Sequence, residues 1–190
     1  MNGVSIGAMK KLGEKKLRLF FACWPDAAEQ VAMAAWQPAL RELCGGREMR
    51  ADTLHATLVF LGGVAEHRLQ ALLLAAREVN CPGFELILTT VQYWGHNHIA
   101  YAAPDDIPPQ LAELVGELEQ SLRRHRFHFD ARPYKPHVTL LRNAQWSDAR
   151  LPAMTAVRWR VAEFALVQSL NGDEGARYEV LARFPLRKAA

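Results

Sequence analysis

Long hydrophobic runs are missing from this 190-residue chain. Its longest apolar stretches, such as residues 71–76, are a handful of residues, against the roughly 20 needed to span a bilayer, so a membrane-spanning helix is excluded. Cysteine is scarce too: Cys23, Cys44 and Cys81 are odd in number, widely spaced and form no CxxC pair. That argues against a disulfide framework and against a zinc site, and makes the cytoplasm the expected compartment. Charge of one sign is in short supply. With 23 Lys+Arg against 20 Asp+Glu the formal net charge is +3, too little to define a nucleic-acid binder, although a pI near 8.9 suits a phosphate-bearing ligand. Low-complexity tracts and linkers are lacking as well, so nothing divides the chain into independent domains.

Half of the residues are apolar and 23% are charged, the profile of a folded protein. Residues 1–16 carry Lys10, Lys11, Lys15 and Lys16 around glycines, with no apolar stretch that could serve as a signal peptide, and read as a flexible basic tail. Residues 17–190 are expected to form one domain. Within it, residues 17–24 are apolar and aromatic and read as a buried strand. Asp26 can cap a helix that Gly45-Gly46 end. Residues 54–61 read as a second strand stopped by Gly62-Gly63, and 65–79 as an amphipathic helix. Residues 84–91 and 97–102 suggest a hairpin across Gly95-His96-Asn97, and 110–126 a long helix with Leu111, Leu114, Val115, Leu118 and Leu122 on one stripe. Further strands are expected at 137–141, 158–170 and 177–184, the last two joined by a turn at 171–175. About seven strands and three helices, with several hairpins, favour a mixed antiparallel α+β fold over a doubly wound parallel sheet.

Two short segments carry chemistry: His55-Ala56-Thr57-Leu58 and His137-Val138-Thr139-Leu140. Shuffling this composition would yield two His-x-Thr-Leu copies in about one sequence in a few thousand, which makes the pair a specific signal where one copy would be weak. Each opens an apolar strand. Side chains alternate along a strand, so His55 and Thr57 point one way while Ala56, Leu58 and Phe60 point the other. His137 with Thr139 repeats the pattern. Two such strands facing one cleft supply two imidazoles and two hydroxyls around one point. That suffices to open a phosphodiester without a metal. One neutral imidazole takes a proton from water, one imidazolium protonates the leaving oxygen, and the hydroxyls hold the non-bridging oxygens. Metal binding is disfavoured because no Asp, Glu or Cys stands at ligand spacing from the histidines; Asp52 and Asp130 lie at irregular offsets.

These residues resemble the 2H phosphoesterases, and within them the bacterial RNA 2′,3′-cyclic phosphodiesterase (2′-5′ RNA ligase) family. The resemblance runs from about Leu17 to Leu186. It rests on Leu54-His55-Ala56-Thr57-Leu58-Val59-Phe60-Leu61-Gly62 and on Arg132-Pro133-Tyr134-Lys135-Pro136-His137-Val138-Thr139-Leu140-Leu141-Arg142, with weaker support from Arg18-Leu19-Phe20-Phe21-Ala22 and Tyr178-Glu179-Val180-Leu181. It implies a bilobal, pseudo-twofold fold, mainly antiparallel sheets around a central cleft with helices outside. It implies hydrolysis of a ribose 2′,3′-cyclic phosphate to a 2′-phosphomonoester, with His137 as the base and His55 as the acid, Thr57 and Thr139 on the phosphate, and no cofactor or metal. The expected partners are RNA with 2′,3′-cyclic phosphate ends or cyclic nucleotides, with no membrane, and the expected state is a monomer. Two other readings use the same four side chains: a 2′-5′ RNA ligase or 2′-5′ oligonucleotide phosphodiesterase, and a non-catalytic module that binds RNA ends. Trp24-Pro25 departs from the family by its bulk and is expected to leave the motifs untouched.

Arg142 could pair with a phosphate or a base, Tyr134 could stack a base, and Lys135 could attract the phosphate. Arg142 is equally readable as a solvated strand-end residue, whereas packing is the commoner role for an aromatic such as Tyr134 and the surface the commoner place for Lys135. Arg123, Arg124, His125, Arg126, His128, Arg132 and Lys135 form the densest basic stretch, leading into the second motif. His96, His98, His125 and His128 have no matching partners and are expected to be structural or surface residues.

Overall fold

The computed structural model describes residues 14–146, 154–172 and 175–188; the tail expected at 1–16 falls almost wholly outside them. The chain opens with β1 (Lys16–Cys23), α1 (Ala27–Ala34), α2 (Gln37–Cys44), β2 (Arg47–Glu48), β3 (Ala56–Ala65) and α3 (Leu69–Arg77). It continues through β4 (Phe84–Leu88), β5 (Thr90–Trp94), β6 (Ile99–Ala103), α4 (Pro109–Arg124), β7 (Val138–Arg142), β8 (Val157–Val161), β9 (Glu163–Gly172) and β10 (Gly175–Pro185).

Local chemistry explains most boundaries. Asp26 accepts from the Ala28 and Glu29 N–H groups while Glu29 reaches back to the Asp26 N–H, a reciprocal capping box that starts α1. The single helix expected up to Gly45 is in fact two. Pro38 lies in the first turn of α2, a position where its missing N–H costs nothing, so a new helix begins there. Gly62-Gly63 do not end β3. Gly62 takes a positive φ of 69° inside the strand, where the pairing of β1 with β3 slips between Leu19↔Gly62 and Phe20↔Phe60, leaving Leu61 as an extra residue. The strand therefore runs to Ala65, and the expected helix at 65–79 shortens to a 3-10 turn followed by α3.

The hairpin expected between 84–91 and 97–102 is reassigned as well. β6 pairs with β5, whereas β4 pairs with β8 in a separate two-stranded sheet. Thr89 separates β4 from β5, its N–H donating to the Ala103 carbonyl. The strand expected at 158–170 divides likewise, β8 serving the small sheet and β9 the large one. The turn expected at 171–175 is flanked by the pairing Gly175↔Gly172, and residues 173–174 lie outside the described residues.

The large sheet has the order β10-β9-β1-β3-β7-β6-β5, with β2 beside β7, and its named strand pairings are antiparallel. It reads as two halves that touch at a single pair, Ala56↔Val138, where β3 and β7 both begin. α3 and α4 pack together against β3 and β10, while α1 and α2 pack against β8 and β7. One face of the sheet and these helices enclose the main core, including Phe21, Leu40, Leu72, Leu111, Leu118 and Leu140. Each such side chain stabilises the fold by about 1.5–3 kcal/mol through removal of apolar area from water. The opposite face carries two smaller clusters, one per half. Phe20, Ala22, Ala165 and Val167 with Trp24 and Tyr178 form the first; Ile99, Tyr101 and Ala103 with Trp94 form the second.

Candidate active site

The contact between the halves places the motifs. β3 and β7 run antiparallel through Ala56↔Val138. Carrying that register one residue either way sets His55 opposite Thr139 and Thr57 opposite His137, all four on the face away from the main core. Ala56, Val138 and Leu140 fill the core side, at no more than 1% exposure. His55, Thr57, His137 and Thr139 line one cleft of about 760 Å³. The motifs' near-identity thus becomes a local twofold arrangement of two imidazoles and two hydroxyls.

Each imidazole is pinned in the same way. Nδ1–H of His55 donates to the Thr53 carbonyl at 2.7 Å, and Nδ1–H of His137 donates to the Lys135 carbonyl at 2.8 Å. Holding Nδ1 as the donor leaves Nε2 of each ring free to take or give a proton. Burial drives the His55 pKa down to about 4, opposed by the bond to Thr53 and helped by the positive charge of His137 and Arg142. His137 is lowered for the same leading reason, again with Arg142 contributing.

The surroundings of the two rings differ. His55 lies 5.1 Å from Phe20, 5.1 Å from Tyr178 edge-on, and 5.1 Å from Trp24 in a parallel stack tilted by 7°. His137 meets Trp94 edge-on at 4.6 Å and Tyr101 edge-on at 5.7 Å. Trp24, expected to leave the motifs untouched, lies flat against the first of them. Sequence reading missed it because the contact is set by strand pairing, Cys23↔Ala56, across a separation that no periodicity registers. Phe20, Tyr178, Trp94 and Tyr101 were missed for the same reason.

Phe60 is a second correction. It lines the cleft instead of joining Ala56 and Leu58 in the core, with the Arg18 guanidinium 4.8 Å from its ring centroid. The register slips between Phe21↔Val59 and Ala22↔Thr57, leaving Leu58 as an extra residue and reversing the alternation beyond it. Val59 accordingly takes the core position, at 3% exposure.

Of the weaker candidates, Arg142 is exposed on the cleft wall at the end of β7 and acts electrostatically on both imidazoles. Tyr134 borders the cleft but packs against the main core, and its buried hydroxyl has no hydrogen-bond partner among the described residues. Burial accordingly pushes its pKa up. Lys135 is exposed at the cleft lining and contributes its backbone carbonyl to His137. His96 lines the cleft, whereas His98 bonds Tyr93 and His125 pairs with Glu78. The carboxylates flanking the motifs are committed to neighbours: Asp52 to Arg50, and Asp130 to Arg132. Among the described residues, the group with ligand spacing for a metal is Cys81, Glu113 and Glu117, none of which lines the cleft.

A family model described as the 2′-5′ RNA ligase superfamily matches residues 24–173 of the chain. The RNA 2′,3′-cyclic phosphodiesterase of Escherichia coli (strain K12) is 32% identical over 169 residues, which is 89% of this chain and 96% of that protein. The RNA 2′,3′-cyclic phosphodiesterase of Thermus thermophilus is 29% identical over 181 residues, 90% of this chain and 91% of that one. The crystal structure of E. coli LigT complexed with 3′-AMP superposes with a TM-score of 0.81 at 31% identity, covering 90% of this chain and 99% of that one.

Proposed function

The chain belongs to the 2′-5′ RNA ligase superfamily, and on that premise we propose that it is an RNA 2′,3′-cyclic phosphodiesterase that works by proton transfer between His55 and His137. It opens the terminal ribose 2′,3′-cyclic phosphate to a 2′-phosphomonoester. The relatives of that name match nearly their full lengths. The observation that carries the chemistry is the meeting of both motifs at Ala56↔Val138, with each Nδ1 held on a backbone carbonyl.

In the proposed reaction, Nε2 of neutral His137 takes a proton from a water molecule, and the water oxygen forms a bond to phosphorus. The bond from phosphorus to O3′ breaks, and Nε2–H of the His55 imidazolium gives its proton to O3′. Thr57 and Thr139 donate hydroxyl hydrogen bonds to the non-bridging oxygens, where negative charge builds up. Burial holds both imidazoles below their ordinary pKa. The anionic substrate raises them and loads the proton, and an imidazolium with a low intrinsic pKa is a strong donor to the departing alkoxide. Arg142, on the cleft wall, helps draw the phosphate in.

Action as a monomer in the cytoplasm, the state and location expected from the sequence, is part of this proposal. Among the described residues no helix is long and apolar enough to cross a membrane. The deciding experiment is product analysis on an oligoribonucleotide with a 2′,3′-cyclic phosphate end, with and without EDTA. Formation of a 2′-phosphate that persists in EDTA is expected. Binding without turnover would replace the enzyme by an RNA-end binding module, and loss of turnover in EDTA would overturn the two-histidine chemistry.

A further inference from the structure

Phe20, Ala22 and Trp24 follow one another on the cleft-side face of β1 and its continuation. Phe20 and Ala22 belong to the small cluster there, and Trp24 packs on it. Ala22 offers only a methyl, and the space beside it is where the His55 ring sits, 5.1 Å from the rings of both Phe20 and Trp24. Phe20 and Tyr178 line the cleft and are available to a ligand, whereas Trp24 is not among the cleft-lining residues. It stacks on His55 with the two ring planes nearly parallel, at 7°, and meets Tyr178 edge-on at 6.2 Å.

The indole itself is firmly mounted. Trp24 precedes the buried Pro25, which confines it to extended backbone, and the capping box of α1 begins at the next residue. The hydrogen bond at Nδ1 restrains the His55 ring about its broad χ2 torsion at one edge only. A flat neighbour removes that freedom. His137, with edge-on contacts to Trp94 and Tyr101, has no such stack.

We propose that Trp24 is a positioning residue for the reaction, its stacked indole holding the His55 imidazole in the plane that aims Nε2 at the leaving oxygen while Nδ1 stays on the Thr53 carbonyl. This rests on the reading of His55 as a proton-transfer group. Trp24 is uncharged, so its removal changes the packing and solvent access of His55. The charged and titratable groups facing that ring, His137 just before β7, Arg142 at its end and Tyr178 from β10, stay in place.

The test compares wild type, Trp24→Ala and Trp24→Phe by steady-state kinetics on a cyclic-phosphate oligoribonucleotide and by NMR titration of the His55 ring protons. In wild type the His55 ring protons should lie upfield, as ring-current shielding under a stacked indole requires. Trp24→Ala should lower kcat roughly tenfold, since a misplacement of about 1 Å at a reacting group can cost ~100-fold. KM should change less than twofold, and the His55 titration midpoint should move up toward the ordinary imidazole value. Trp24→Phe should recover most of the rate. An unchanged His55 titration in Trp24→Ala, or a larger effect on KM than on kcat, would overturn the proposal. His55 ring protons at ordinary positions in wild type would do the same even where the alanine variant does not fold. Failure of the functional reading looks different: wild type would not turn over, while the NMR arms would still report on the stack.

Discussion

His55 and His137 use the same backbone device, an Nδ1–H donated to the carbonyl two residues earlier, but their side-chain environments diverge. Three rings surround the first, one of them stacked flat; the second meets two rings by their edges. Duplicated strands therefore deliver duplicated functional groups, and the strands beyond them make the copies unequal. β1, the residue that follows it and β10 supply Phe20, Trp24 and Tyr178 to one half, whereas β5 and β6 supply Trp94 and Tyr101 to the other. In a reaction with one base and one acid, that inequality biases which imidazole of the coupled pair carries the shared proton.

The sharpest way to break this comparison is to remove each imidazole. His55→Ala and His137→Ala should each lower kcat/KM by at least about 100-fold, the lower end of what a general acid or base contributes. A variant near wild-type activity would end the two-histidine mechanism. A 2′,3′-unrelated substrate with a nitrophenolate leaving group then separates the roles, since an activated leaving group needs no proton. With His55 as the acid, His55→Ala should retain activity on that ester and His137→Ala should lose it. The reverse pattern would exchange the assignments.

The hydroxyls rank next. Thr57→Val and Thr139→Val each remove one donor to the phosphoryl oxygens and leave both proton carriers, so each should cost less than its neighbouring histidine. Roughly 3–4 kcal/mol in the barrier is the upper bound. Because the local twofold sets each threonine opposite the other motif's histidine, the two losses should resemble one another. A large disparity would mean that the phosphate sits off the axis between the strands.

Acidity offers a finer probe. Burial lowers both imidazoles, so the singly protonated pair that the reaction needs is depleted as pH rises, already below the ordinary imidazole midpoint. The basic limb of kcat/KM, which reports the free enzyme, should therefore lie at lower pH than the basic limb of kcat, which reports the complex with an anionic phosphate. Coincident limbs would show that substrate charge does not load the proton. Stability runs the opposite way with pH. Unfolded His55 binds its proton near 6.5 and folded His55 near 4, so the folded state loses stability as pH falls through that window. Arg142→Gln removes a charge that lowers both imidazoles, and both limbs should move to higher pH in that variant while KM rises.

Much of this was legible in the sequence for a physical reason: both His-x-Thr-Leu segments alternate polar and apolar residues, and a one-residue slip would have turned Ala56, Val138 and Leu140 out of the core. The face of each histidine followed from that. What lay hidden depended on irregularities and on partners distant along the chain. The bulge at Leu58 turned Phe60 toward the cleft, and Gly62 carried β3 past its expected end. Thr89 divided one expected strand between two sheets. The aromatic surroundings of His55 come from β1 and β10, which join through β9, an arrangement that no local pattern encodes.

The smallest expected effect concerns Lys135, and it tests whether the likeness of the two supports is a matter of backbone. The residue that receives the Nδ1–H is Thr53 in one half and Lys135 in the other, with similar distances of 2.7 and 2.8 Å. Thr53 is buried, at 6% exposure, and its hydroxyl donates to the Arg50 carbonyl, whereas Lys135 is exposed at the cleft lining. If only the carbonyl matters, Lys135→Ala keeps the support of His137 intact, and kcat should stay within about twofold of wild type. The lost positive charge should appear as a modest rise in KM at low salt that fades as ionic strength shortens the screening length to below about 10 Å. A fall in kcat that persists at high salt would mean that the lysine side chain acts at the phosphate, and that the second half of the site holds its substrate by a means the first half lacks.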